Sequence, residues 1–152
     1  MNYIWCDGGC RNNQEKNNIG GYGVIIKEND EISEYRGAEL NTTNNKQELT
    51  SLVVGLSKIK NKDAPLEVIM DSRYVVMGIT EWSKKWMLNG FKDSKNKEIK
   101  NRLYWIYLIP LVAKFKDIKF VLCKGHGDNA GNERADKLAN IAMDELGTRL
   151  IR

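Results

Sequence analysis

Alternating and helically spaced apolar positions take turns along the chain. Tyr3-Ile4-Trp5-Cys6-Asp7-Gly8-Gly9-Cys10 is an aromatic and β-branched run that predicts a strand stopped by its Gly-Gly pair. Gly20 to Lys27 predicts a second strand, and Asn29-Asp30 a hairpin turn into a third, Glu31 to Arg36, so the chain begins with an antiparallel meander. The glycines at 20, 21 and 23 predict a bulge or a close backbone approach near the start of the second strand. Leu49, Leu52, Val53, Leu56 and Ile59 then repeat at the spacing of one helix face. After Pro65 a strand, Leu66 to Met70, ends on Asp71 and runs into a helical pattern from Ser72 to Ile79, the mark of an α/β unit with a parallel pairing. Thr80 to Lys92 predicts a short helix closed by Asn89-Gly90. A longer helix from Glu98 to Val112 is expected to turn Leu103, Ile106, Tyr107 and Ile109 inward, with Pro110 kinking or ending it. Ile118 to Cys123 is the last strand. A glycine-rich loop follows, then a helix packed through Ala135, Leu138, Ala139 and Ala142, stopped by Gly147 and leaving 148–152 as a frayed tail.

The resulting class is α/β, and 152 residues suit one domain with a real core. With 41% hydrophobic and 29% charged residues and no long apolar run, the composition excludes a membrane-spanning protein. The start has no signal-peptide pattern, so a cytoplasmic location is expected. A net charge of +4 admits a polyanionic partner. Lys84, Lys85, Lys92, Lys95, Lys97, Lys100 and Arg102 crowd one region, interleaved with Trp82, Trp86 and Phe91. That mixture suits a nucleic-acid groove, and equally a solvated helix surface whose tryptophans anchor it to the core. Three cysteines argue against a disulfide framework. Cys6, Cys10, Cys123 and His126 would add up to a zinc ligand set, but Cys6 should face away from Asp7 and Cys10 should lie beyond the strand, a poor geometry for zinc.

Four acids change the picture. Side chains alternate along a strand, so Asp7 shares a face with Tyr3 and Trp5 and is carried towards the interior, where an anion needs compensation. It reads either as a metal ligand or as a strand-end turn residue. Glu48 lies at the edge of a helix stripe, as a metal-facing acid or as the partner of Asn45 in a capping box. Asp71 closes a strand, as a ligand or as a helix N-cap. Asp136 falls in the first turn of the last helix. If the two acid-bearing strands are neighbours, all four carboxylates meet, and hard oxygen ligands in that number suit Mg²⁺ or Mn²⁺. His126, the single histidine, would then serve as a proton shuttle or in product release.

Asp7-Gly8, Thr43-Asn44-Asn45 with Glu48-Leu49, Asp71-Ser72 with Tyr74-Val75 and Gly78-Ile79, Trp82 and Trp86, and Lys124-Gly125-His126 with Asn132-Glu133-Arg134-Ala135-Asp136 together resemble the type 1 ribonuclease H family, in order, from about Tyr3 to Asp144. The resemblance implies a ribonuclease H-like mixed sheet of five strands, three antiparallel and then two parallel to the first, with helices on both faces. It implies an endoribonuclease that hydrolyses the RNA strand of RNA/DNA hybrids by a two-metal-ion mechanism, giving 5′-phosphate and 3′-hydroxyl ends. Asp7, Glu48, Asp71 and Asp136 are the implied metal ligands, for two Mg²⁺ ions with substrate and with Mn²⁺ as a substitute, and His126 the implied aid to turnover. Gly8, Cys10, Asn44 and Asn45 correspond to minor-groove contacts. Thr43 and Trp86 correspond to DNA-strand contacts, and Trp82, Lys84 and Lys85 belong to the basic protrusion. Two departures stand out: Cys6-Asp7-Gly8-Gly9 where many members have Thr-Asp-Gly-Ser, and Met87-Leu88 where lysines often sit, from which weaker hybrid binding is expected. A short, free-standing, monomeric enzyme is the expectation. The competing readings are another nuclease of the same fold, a ribonuclease H segment of a reverse transcriptase, and a catalytically dead hybrid binder.

Overall fold

The computed structural model describes residues 1–12, 17–124 and 129–151. Strands β1 (Asn2–Arg11), β2 (Ile19–Glu28) and β3 (Glu31–Leu40) form the meander. Asn29 and Asp30, at φ 52° and 65°, make the two-residue turn, the left-handed pair that matches the twist of a hairpin. Helix α1 (Asn44–Lys58) leads to β4 (Leu66–Met70), then α2 (Arg73–Met77), a π-helical turn (Gly78–Trp82), α3 (Ser83–Asn89), α4 (Arg102–Ala113), β5 (Ile118–Leu122) and α5 (Ala130–Leu150). The sheet order is β3-β2-β1-β4-β5, with β4 parallel to both β1 and β5. The mixed five-stranded sheet implied by the resemblance is therefore present.

Helices cover both faces. Ile4 and Val24 meet Gly55 of α1 on one side, while Gly23 lies against Ala135 of α5 on the other. The main core is built from Ile4, Leu49, Leu52, Leu56, Val68, Met70, Leu108 and Trp105, all fully buried. The glycine-rich start of β2 is not bulged, since its pairing runs without interruption. Close approach is the reason for its composition: a Cβ on Gly23 would stand 2.0 Å from the Ala135 carbonyl oxygen.

Four expectations are corrected. The Gly8-Gly9 pair does not stop β1, because both residues stay paired, with Tyr22 and Gly21, and the strand reaches Arg11. Gly8 is there for the helix, since a Cβ on it would lie 2.3 Å from the Gln47 carbonyl carbon. Helix α4 starts at Arg102, not Glu98. Ile99 N–H bonds back to Phe91, and Asn101, at φ 60°, cannot continue a right-handed helix. Its inward face is Trp105, Leu108 and Leu111, while Leu103 and Tyr107 are exposed, and Pro110 sits inside the helix without ending it. The bulk of Trp105, whose ring packs on Tyr74 and Trp86, sets that rotation. Finally, Gly147 lies within α5, which continues to Leu150.

The two neighbouring glycines give a paired test. Gly8→Ala should destabilise the fold by about 1–3 kcal/mol through overpacking, whereas Gly9, with nothing within 4 Å of its would-be Cβ, should tolerate alanine. Chemical denaturation of both variants checks this, and equal losses would remove the close-packing role of Gly8.

Candidate active site

Parallel pairing of β1 with β4 sets the site. Trp5 is level with Ile69, so two residues further on Asp7 is level with Asp71, just past the end of β4. Tyr3 and Trp5 stack at 5.4 Å on the same face as Asp7, and Trp5 also meets Gly131 of α5. Asp7 is only 7% exposed. Burial, then the charges of Asp71 and Asp136, push its carboxyl up to about 8, against which a hydrogen bond from Gly8 N–H to Oδ1 at 2.9 Å acts only partly. The closeness of the Asp71 side chain acts on Asp7 in the same upward direction.

Glu48 reaches the same region from α1. It is not part of a capping box: Thr43, not Asn45, caps α1, its Oγ1 accepting from Lys46 N–H at 3.1 Å. Glu48 Oε2 instead accepts from the Ser72 hydroxyl. Burial and Asp71 raise its pKa while Ser72 lowers it. Ser72, not Asp71, caps α2, which leaves the Asp71 carboxylate outside any capping role. Asp136 is the seventh residue of α5, in its second turn and not its first. Beneath the site the thiol of Cys6 is pushed up to about 12, by burial first, partly offset by Ser51, and further raised by Asp7, Asp71 and Glu48. The charges of these three acids thus all reach one buried thiol.

None of the four acids takes part in an ion pair among the described residues; four arginines pair elsewhere, Arg11 with Asp144, Arg36 with Glu145, Arg102 with Glu98 and Arg134 with Glu34. Nor do three or more His, Cys, Asp or Glu side chains among the described residues form a ready-made metal cage. The donor set nonetheless fits a hard cation. It is all carboxylate oxygen, and the crowding that raises Asp7 is what a positive ion would relieve. The zinc alternative gains nothing, since Cys6 is sealed in the core and the Cys10 thiol points at the Thr42 and Arg11 carbonyls, at 3.8 and 3.7 Å.

The expected substrate residues surround this point unevenly. Gly8 N–H is committed to Asp7. Cys10 is half-buried beside the chain entering α1, and Asn44 and Asn45 are exposed in the first turn of α1. Thr43, Asn44, Asn45 and Lys46 form one wall of a cavity of about 730 Å³ whose other wall includes Lys100, Asn101 and Arg102. Trp82, Lys84 and Lys85 are exposed and Trp86 is half-buried, the tryptophan rings 6.0 Å apart. His126 lies outside the described residues. Sequence reasoning missed Ser72 and Gln47 as supporting residues. The position of Ser72 after a strand and before a helix was a capping signal that pointed to it. Gln47, buried with its Nε2 donating to Glu39 and Thr42, carried no such signal.

The RNase H family model matches residues 2–144. A "Ribonuclease H" of Ruthia magnifica subsp. Calyptogena magnifica is 39% identical over 145 residues, covering 95% of this chain and 97% of its own. Among solved structures, LC9-RNase H1, described as a type 1 RNase H with the type 2 active-site motif, superposes with TM-score 0.81 at 28% identity, over 95% of this chain and 72% of its own. LC11-RNase H1, solved in complex with RNA/DNA hybrid, superposes with TM-score 0.70 at 25% identity, over 96% of this chain and 99% of its own. With its sheet order, its cluster of carboxylates and these likenesses over nearly its whole length, the chain belongs to the ribonuclease H family.

Proposed function

We propose that this protein is an endoribonuclease that hydrolyses the RNA strand of RNA/DNA hybrids and leaves 5′-phosphate and 3′-hydroxyl ends. Asp7, Glu48, Asp71 and Asp136 are assigned as ligands of two Mg²⁺ ions, for which Mn²⁺ can substitute. The observation that carries the reading is a set of converging carboxylates with no ion-pair partner among the described residues, where the parallel pairing of β1 with β4 ends. An incomplete protein cage agrees with it, because Mg²⁺ retains waters and takes substrate phosphate oxygens as ligands. When bound, the ion pair supplies Lewis-acid stabilisation of the attacking and leaving oxygens.

The residues of the chain do the remaining work. Asp7 is held rigid by the Gly8 N–H, and Glu48 by Ser72, so two carboxylates are oriented before substrate arrives. Gly8, Cys10, Asn44 and Asn45 are assigned to the RNA strand, where reading 2′-hydroxyls tells RNA from DNA. Thr43 and Trp86 are assigned to the DNA strand, with Trp82, Lys84 and Lys85 extending the contact along the protrusion. Lys46 and Arg102 add positive charge to the cavity beside Thr43. His126 is assigned to proton transfer or product release. The hybrid-bound LC11 relative supports this choice of substrate. No helix among the described residues is long and apolar enough to cross a membrane. The proposed setting is a cytoplasmic monomer with one catalytic domain.

Two measurements test the reading. A labelled RNA/DNA hybrid, beside duplex DNA and duplex RNA, should lose only its RNA strand, in a Mg²⁺-dependent reaction stopped by chelator. Asp71→Asn should slow that cleavage by roughly a hundredfold or more, several kcal/mol of transition-state stabilisation. Binding without cleavage by the unaltered protein would favour the dead-binder alternative.

The second uses the raised pKa of Asp7. A carboxyl near 8 in the fold but near 4 when unfolded binds a proton in the folded state alone between those values. Its contribution is thus present at low pH and lost as pH rises towards and through 8. The metal-free melting temperature should fall over that window, and added Mg²⁺ should restore it. Asp7→Asn should flatten the fall, raise the metal-free melting temperature at alkaline pH by a few degrees, and abolish cleavage. Calorimetry in chelator across pH checks this; a variant less stable at every pH would contradict the assigned crowding.

A further inference from the structure

Ser72 makes two hydrogen bonds that fix its hydroxyl from both sides. Its Oγ accepts from Val75 N–H at 3.2 Å as the N-cap of α2, and its O–H donates to Oε2 of Glu48. A serine hydroxyl has one proton and rotates freely unless its lone pairs are engaged. Here the capping bond engages one, the residue is 5% exposed, and the proton is left pointing at the carboxylate. The pair joins the start of α2 to the fifth residue of α1, segments that no strand pairing connects directly.

We propose that Ser72 is a positioning residue: through its hydroxyl it holds the Glu48 carboxylate in one orientation, and so sets how tightly the site takes a divalent cation. The proposal rests on the assignment of Glu48 as a metal ligand. Ser72 itself touches neither substrate nor ion. The cap of α2 and the orientation of Glu48 are thereby one device, since the bond that starts the helix is what aims the hydroxyl.

The two roles separate experimentally. Glycine is nearly as good an N-cap as serine, so Ser72→Gly should leave the fold intact while removing the donor to Glu48. Threonine keeps both bonds. In the full-length protein, Mg²⁺ affinity measured by calorimetric titration should weaken roughly tenfold in Ser72→Gly, the usual effect of losing a partner that orients a ligand. It should return to within about twofold in Ser72→Thr, a difference too small to reflect a lost bond to a charged group. In steady-state cleavage of a hybrid, kcat should fall with little change in KM. Adding Ser72→Gly to Glu48→Gln should weaken Mg²⁺ binding no further. Unchanged Mg²⁺ affinity in a folded Ser72→Gly, or equal and additive losses in the two backgrounds, would overturn the proposal. The titration needs no turnover, so it decides the role of Ser72 even if the unaltered protein fails to cleave hybrids, an outcome that would instead remove the functional reading.

Discussion

Like charges forced together out of water are the constraint on which this structure turns. Asp7 sits within the central strand, level with Asp71 just past the end of β4, and burial together with the charges of Asp71 and Asp136 holds its carboxyl well above the usual range. A fold selected for stability alone would replace such a pair with apolar residues or give it an arginine. The chain has arginines to offer, yet Arg11, Arg36 and Arg134 are engaged at the periphery, in ion pairs that brace the β1–α5 and β3–α5 contacts. Under the proposed reading a cation would relieve this crowding, so the instability the acids carry without it would be inseparable from what they do with it.

The architecture that brings them together needs only a few features. The crossover from β1 through the meander and α1 to β4 makes the central pair of strands parallel, so Asp71 at the end of β4 falls level with Asp7 where the pairing with β1 stops. Gly8 then lets α1 lie close enough to β1 for Glu48 to reach that opening, and Gly23 does the same for α5 and Asp136 on the other face. Two parts of the site therefore depend on backbone proximity, and the missing side chains at Gly8 and Gly23 are as necessary as the carboxylates themselves.

Much of this was legible in the sequence because it rested on periodicity. The apolar stripes of α1 and α5 and the Asn29-Asp30 turn are local signals, and Leu49, Leu52, Leu56, Ala135, Leu138 and Ala139 are buried as their spacing required. What was misread depended on partners distant in the chain. Gly8-Gly9 looked like a stop because glycine is a poor strand residue, but its neighbours β2 and α1 override that preference. Helix α4 is apolar almost all round, so its sequence does not specify which side faces in, and the Trp105 packing with Tyr74 and Trp86 decides it. Asn45 and Thr43 are both good caps, and only the observed bond to Lys46 distinguishes them. The four acids drew attention by residue type and by resemblance, whereas the hydroxyl bonded to one of them did not, because Ser72 is an ordinary cap until Glu48 is seen beside it.

The protrusion shows how an exposed binding feature is given a rigid base. Tyr74 Oη receives two hydrogen bonds, from Trp105 Nε1 at 3.0 Å and from Asn101 Nδ2 at 3.1 Å. Trp105 is fully buried, while Asn101 lines the cavity opposite Thr43. From the same tyrosine the rings continue outward through Trp82 and Trp86 to the exposed lysines. One phenol therefore locks the core, the far wall of the cavity and the root of the basic helix into a single body, starting two residues after the Ser72 cap. Because α2 carries both Ser72 and Tyr74, a change in how that short helix begins reaches Glu48 in one direction and the protrusion in the other. The orientation of the Glu48 carboxylate and the seating of the basic helix are in this way set by the same turn of helix.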